Sequence, residues 1–225
     1  IGPTWHMTKQ GTPTMGGLIF AGAVLVAIII MGWNDMMQGD YAHLFIFGIA
    51  ALFGAIGYID DYVKVKKKQN LGLTALQKLL LQLVVSVAFL ALLRYFRYLN
   101  SEFYIPFFDV YLKLPWIVYM IIAAFIIVGA VNAVNITDGI DGLAAGVTTP
   151  VSVFFAVVAV YWGYSATGIF SAALAGALIG FLAYNYHPAK VFMGDTGSLF
   201  LGGAVCGMAF ALDIPLILIL VGIIY

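Results

Sequence analysis

The feature that most constrains this chain is a series of apolar runs matched in length to a bilayer. An α-helix needs roughly 20 apolar residues, at about 1.5 Å each, to cross a hydrocarbon core of about 30 Å. The runs predict helices near residues 17–33, 43–59, 75–93, 115–133, 143–162, 167–186 and 198–212, with a shorter one at 214–225. The expected fold is therefore all-α: a polytopic integral membrane helical bundle with seven full transmembrane helices and one partial one. Composition agrees, because only 9% of residues are charged and the mean hydropathy is +1.06, where a soluble domain carries about a quarter charged. The sixth run, "SAALAGALIGFLAYN", has Ala and Gly at separations of three and four and predicts close helix packing. No repeat or linker divides the chain, so residues 1–225 are expected to form one integral membrane domain. The chain opens without Met and is expected to be a piece trimmed at both ends.

Each crossing moves the chain to the other side of the membrane, and the polar motifs then fall on one side. "KQGTPTMGG" precedes the first run, "YIDDYVKVKKKQNLGLTALQK" follows the second, "NAVNITDGIDG" the fourth and "HPAKVFMGDTGS" the sixth. That side holds Lys9, Lys64, Lys66, Lys67, Lys68, Lys78 and Lys190; the other holds Arg94, Arg97 and Lys113. Excess Lys and Arg in short loops marks the cytoplasmic side.

The same side carries Asp60, Asp61, Asp138, Asp141 and Asp195. Each stands against an apolar run, where a carboxylate loses hydration and needs a cation, a donor or a metal. One Asp alone reads as a helix cap; five converging on a Lys-rich face read as a site, since unneutralised they would repel. In "NAVNITDGIDG", Asn132, Asn135, Asp138 and Asp141 recur every three residues. A three-residue step turns a helix by about 300°, so the end members of an unbroken helix do not share a face. Gly139 and Gly142 predict a break near Thr137 that turns the Asp pair into a cleft. The Asn amides suit a hydroxylated or phosphorylated ligand, although Asn132 reads equally as an interhelical hydrogen-bonding residue.

"FMGDTGSLF" predicts a helix N-terminus with free backbone N–H groups, an anion site. Asp195 in it is the candidate Mg²⁺ ligand, because hard divalent cations take oxygen donors and share their shell with phosphate and water. Cys206 is solitary and His6, His43 and His187 are scattered, which argues against zinc. No G-x-x-x-x-G-K-[ST] loop or dinucleotide fingerprint occurs, which argues against an ATP-driven pump or an oxidoreductase. Carboxylates, lysines and a Mg²⁺ site at a membrane surface describe phosphoryl transfer. The location suggests a lipid substrate.

The motifs "KQGTPTMGG", "IGYIDDYVKVKK", "NAVNITDGIDGLAAG" and "HPAKVFMGDTGSLFLGG" closely resemble the phospho-N-acetylmuramoyl-pentapeptide-transferase (MraY translocase) family, within the polyprenyl-phosphate hexose-1-phosphate transferase superfamily. The resemblance runs the length of the chain. It implies Mg²⁺-dependent transfer of phospho-MurNAc-pentapeptide from UDP-MurNAc-pentapeptide to undecaprenyl phosphate, giving lipid I and UMP in peptidoglycan synthesis. The implied setting is the bacterial inner membrane with the site on the cytoplasmic face, a homodimer as one partner, and no nucleic acid. By resemblance, Asp60 and Asp61 form the catalytic pair with Asp195, and Asp195 holds the metal. Lys9, Lys64, Lys78, Asn132, Asn135, Asp138, Asp141, Asn185, Phe192 and Ser198 face substrate; Phe192 would stack on uracil, with core packing as its other reading. Direct attack by the lipid phosphate and a covalent intermediate on an Asp both fit the residues, and a lipid phosphate already ionised favours direct attack. The family implies about ten membrane helices and a His-rich loop, and no His cluster occurs in this sequence. An N-acetylglucosamine-1-phosphate transferase is the neighbouring reading. A secondary transporter would hold its carboxylates near the bilayer midplane instead.

Overall fold

A computed structural model of the chain describes residues 11–67, 69, 71–105, 108 and 110–225. It is a helical bundle: α1 (Gly17–Met31), α2 (Trp33–Met37), α3 (Ala42–Lys67), α4 (Ala75–Tyr95), α5 (Trp116–Thr137), α6 (Leu143–Trp162), α7 (Ser165–Asn185), α8 (Gly194–Ala211) and α9 (Ile217–Ile224). Strands β1 (Glu102–Ile105) and β2 (Val110–Lys113) form an antiparallel hairpin between α4 and α5, with Glu102 opposite Lys113. The hairpin has no counterpart among the apolar runs of the sequence. Its Phe103 is buried and stacks on Tyr119 of α5, with ring centroids 4.4 Å apart.

Among the described residues, five helices (α3 to α7) are long and apolar enough to cross a membrane, fewer than the seven full crossings expected. Two runs fall short for local reasons. Gly32 ends α1 after 15 residues, and its N–H closes on Ile28 O. The first turn of α8 is the polar "GDTGS", which dilutes its 18 residues. The break expected near Thr137 is present: α5 ends there, and Gly142 takes the left-handed conformation (φ +75°) that starts α6.

The core is built around α8, in which every residue from Thr196 to Phe210 is buried. Glycine lets its neighbours approach. A Cβ on Gly57 of α3 would collide with the Asp195 carbonyl, and one on Gly203 of α8 would lie 2.9 Å from Phe53 and 3.0 Å from Ala50. The close packing expected in the sixth run is present, since α7 lies along α6 and buries Ser171 and Ala175, although Gly176 and Gly180 face open space. The spacing of small residues is the same in both places. What differs is that α8 is enclosed by α3, α5, α1 and α6, whereas only about half of α7 is buried.

Candidate active site

The apolar run that seeds α3 ends at Ile59, but the helix continues to Lys67 and carries Asp60, Asp61 and Lys64 with it. Asp60 and Lys64 are an i, i+4 pair in the favourable order, and Lys64, Lys66 and Lys67 suit the negative end of the helix dipole. The two carboxylates therefore sit on rigid helix rather than in a loop. Asp60 and Asp61 are about 100° apart around the axis, so they meet different partners.

Asp60 is 1% exposed. Its Oδ1 accepts the Leu73 N–H at 2.7 Å, and its Oδ2 lies 2.6 Å from Lys64 Nζ and 3.4 Å from Lys78 Nζ. Lys78 is delivered by α4, which starts one turn earlier at a capping box: Gln77 N–H donates to Thr74 Oγ1 and Thr74 N–H to Gln77 Oε1. Asp61 turns to α8. Its Oδ1 accepts the Asp195 N–H at 3.2 Å, and its Oδ2 accepts the Thr196 N–H at 2.9 Å and the Thr196 hydroxyl at 2.7 Å.

That last arrangement corrects one expectation. The N-terminus of α8 does bind an anion, but the anion is Asp61, so Asp195 N–H and Thr196 N–H are not open to a substrate phosphate. Thr196 was the partner that the sequence reading missed.

Asp195 closes the cluster. Its Oδ1 accepts Asn135 Nδ2 at 3.0 Å, and its Oδ2 accepts Lys64 Nζ at 2.8 Å and Lys78 Nζ at 2.7 Å. Asn135 also donates to the buried Ser198 hydroxyl at 2.7 Å. Burial alone would raise the Asp195 carboxyl, but hydrogen bonds from its neighbours, Lys64 and Lys78 among them, outweigh burial and hold it well below the usual carboxylate range. Among the described residues, none gives Asp138 such support. Burial, and then the charges of Asp195 and Asp61, push its carboxyl up to about 8.

Asp60, Asp61 and Asp195 each bring one oxygen within 4.8 Å of the others. Among the described residues, three carboxylates against two ammoniums leave a negative balance, and an all-oxygen donor set suits a hard divalent cation. Beside the cluster lies an open cavity of about 300 Å³ lined by Thr14, Asp61, Lys64, Asp138, Phe192 and Asp195. Carboxylates, ammoniums and a cavity of this size accommodate a phosphorylated ligand and a metal together.

The fold thus brings together Asp60, Asp61, Lys64, Lys78, Asn135, Asp195 and Ser198, with Asp138 and Phe192 in the cavity wall. Lys9 lies outside the described residues. Three other expected substrate residues bond within the fold. Asn132 pairs with Gln82 of α4, its Nδ2 donating to Gln82 Oε1 at 2.7 Å. Asp141 accepts the Ala189 N–H at 3.1 Å and lies 3.1 Å from His187 Nδ1. Asn185 accepts the Gly142 N–H and donates to Val191 O, tying the start of α6 to the segment before α8.

The family model described as glycosyl transferase family 4 matches residues 43–213, and the phospho-N-acetylmuramoyl-pentapeptide-transferase signature 1 matches residues 9–20. The chain is similar over its whole length to proteins named phospho-N-acetylmuramoyl-pentapeptide-transferase. The one from Clostridium acetobutylicum is 46% identical, and the chain covers 69% of its length. Those from Clostridium botulinum (strain Alaska E43) and Caldanaerobacter subterraneus subsp. tengcongensis are each 47% identical, with 67% and 68% of their lengths covered.

Proposed function

The chain belongs to the phospho-N-acetylmuramoyl-pentapeptide-transferase family, within glycosyl transferase family 4, and on that premise we propose that it transfers phospho-MurNAc-pentapeptide from UDP-MurNAc-pentapeptide to undecaprenyl phosphate. The products are lipid I and UMP. The reaction runs on the cytoplasmic face of the bacterial inner membrane, in a homodimer. The observation that carries the reading is the joint hold of Lys64 and Lys78 on Asp60 and Asp195, beside an open cavity.

Asp195 is the most open of the three carboxylates, at 19% side-chain exposure, and would hold Mg²⁺ with oxygens of Asp60 and Asp61 beside it. When bound, the ion supplies charge neutralisation and Lewis acidity at the transferring phosphate. Lys64, in the cavity wall, and Lys78, bonded to Asp195, would offset the negative charge of the donor phosphates as the acceptor approaches. Asp60 fixes the two ammoniums in place, and Asp61 fixes the turn that presents Asp195. Phe192 offers an aromatic wall to the base, and Asp138 and Asn135 border the nucleotide.

Direct attack fits this arrangement better than a covalent intermediate. An oxygen of the acceptor phosphate attacks the β-phosphorus of the donor, and the bond to the bridging oxygen breaks to release UMP. The acceptor phosphate is already ionised and needs no carboxylate to make it a nucleophile, and Lys64 and Lys78 beside the carboxylates would shield the approach of like charges.

The test is UMP release by purified full-length protein given undecaprenyl phosphate and either UDP-MurNAc-pentapeptide or UDP-N-acetylglucosamine. Release from the muramoyl donor alone supports the proposal. Release from the N-acetylglucosamine donor alone would transfer the protein to the neighbouring branch.

A further inference from the structure

The paired amides of Gln82 and Asn132 belong to no step described above. Gln82 sits in the apolar stretch "LLLQLVV" of α4 and is 1% exposed. Its Oε1 accepts Asn132 Nδ2 at 2.7 Å, its Nε2 approaches Asn132 Oδ1 at 3.4 Å, and Asn132 Nδ2 also reaches Val128 O at 2.8 Å. A leucine would anchor α4 to α5 without desolvating an amide, so the pair contributes something that apolar packing does not.

What it contributes is register. Gln82 lies four residues beyond Lys78 on α4, and Asn132 three residues before Asn135 on α5, so each pair shares a helix face. One turn toward the cavity, Lys78 and Asn135 both donate to Asp195, the lysine to Oδ2 at 2.7 Å and the amide to Oδ1 at 3.0 Å. The two layers are stacked: Gln82 with Asn132 below, Lys78 and Asn135 on Asp195 above. Leucine contacts between α4 and α5 are non-directional and tolerate a slip. A slip of one residue moves a side chain by about 1.5 Å along the axis and about 100° around it, and that rotation would take Lys78 off Asp195. Paired amides permit a single alignment, as a buried Asn does in a coiled coil.

We propose that Gln82 is a positioning residue: through Asn132 it fixes the alignment of α4 on α5 that sets Lys78 against Asp195 and Asp60. The inference rests on the transferase reading for its kinetic consequence, but not for its structural one.

Two measurements on the full-length protein test it. In the first, Lys78 is labelled with a small amine-reactive reagent and read by mass spectrometry without substrates. Labelling of Lys78 should rise several-fold in Gln82→Leu, and fall back when Gln82→Asn is combined with Asn132→Gln, which keeps the two amides in exchanged order. Equal Lys78 labelling in wild type and Gln82→Leu overturns the proposal, whatever the protein catalyses. In the second, UMP release should fall about tenfold in Gln82→Leu, in the range typical of residues that orient a directly acting group. That loss should be absent in a Lys78→Ala background, because a residue acting through Lys78 has nothing left to orient. Losses that multiply instead would also overturn it. Absence of UMP release in wild type counts against the transferase reading and leaves the labelling result to stand on its own.

Discussion

Asp61 and Thr196, 135 positions apart in the chain, are joined twice: Asp61 Oδ2 accepts the Thr196 backbone N–H at 2.9 Å and the Thr196 hydroxyl at 2.7 Å. A carboxylate from α3 therefore caps α8, and the turn that it caps carries Asp195. Cap and metal-binding candidate are one mechanical unit.

Asp61→Ala should accordingly cost both stability and activity. Loss of an N-cap is worth about 1–2 kcal/mol, and Asp195 is released from its fixed approach. Thr196→Val removes only the hydroxyl bond, keeps the backbone one, and should cost about 1 kcal/mol. Thermal unfolding in detergent ranks the two, and equal losses would show that the cap does not depend on the Asp61 carboxylate.

Two glycines of α3 form a matched pair. A methyl on Gly57 would meet the Asp195 carbonyl, whereas one on Gly48 meets nothing within 4 Å. Gly57→Ala should separate α3 from α8, costing about 1–3 kcal/mol for overpacking and most of the activity. Gly48→Ala should be neutral or stabilise by up to about 1 kcal/mol, as helix propensity dictates. Expression level and unfolding midpoint of the two variants are the comparison.

Lys64 touches all three carboxylates, at 2.6 Å for Asp60, 2.8 Å for Asp195 and 3.9 Å for Asp61. Lys64→Gln makes the cluster more negative and should lower the Mg²⁺ concentration for half-maximal activity. The maximal rate should fall by about 10²-fold or more, the usual loss when a preorganised charge is removed. Mg²⁺ titration of UMP release separates the two effects, and an increased Mg²⁺ requirement would contradict this role.

Asp138 sets a pH dependence of stability. Its carboxyl is pushed up to about 8 by burial and by Asp195 and Asp61, while an unfolded Asp titrates near 3.9. Between those values the folded protein holds a proton that the unfolded chain has released, so stability falls as pH rises toward 8. Asp138→Asn removes the dependence. Its unfolding midpoint relative to wild type should rise from pH 5 to pH 8, at less than about 1 kcal/mol per pH unit once solvent screening is allowed for. A flat difference across that range would show that Asp138 is ionised throughout.

Much of this was legible in the sequence, for identifiable reasons. Apolar runs placed α3 to α7 within a few residues apart from the C-terminal extension of α3, and crossing parity gathered Asp60, Asp61, Asp138 and Asp195 on one face because topology alone sets the side. The break at Thr137 followed from the 300° step and two glycines. What stayed hidden depended on partners distant in the chain. The capping role of Asp61 is invisible until Thr196 is seen beside it, and "GDTGS" reads as an open anion site for the same reason. Asn132 and Asn135 look alike by spacing, yet one meets Gln82 and the other Asp195, because they sit one turn apart along α5 and reach different neighbouring helices. The extension of α3 to Lys67 was missed because hydropathy ends at Ile59, while the Asp60 and Lys64 pairing that prolongs the helix is a charge pattern.

The Asp60, Asp61 and Asp195 cluster is proposed to perform Mg²⁺-dependent phospho-sugar transfer. Its most direct test is UMP release from UDP-MurNAc-pentapeptide and undecaprenyl phosphate by full-length wild type, Asp60→Asn and Asp195→Asn, each matched for folded protein, with and without a chelator. Wild type should release UMP, the chelator should abolish that release, and both variants should lose at least about 10²-fold. Undiminished release by Asp195→Asn, or release that survives complete removal of divalent metal, would contradict it.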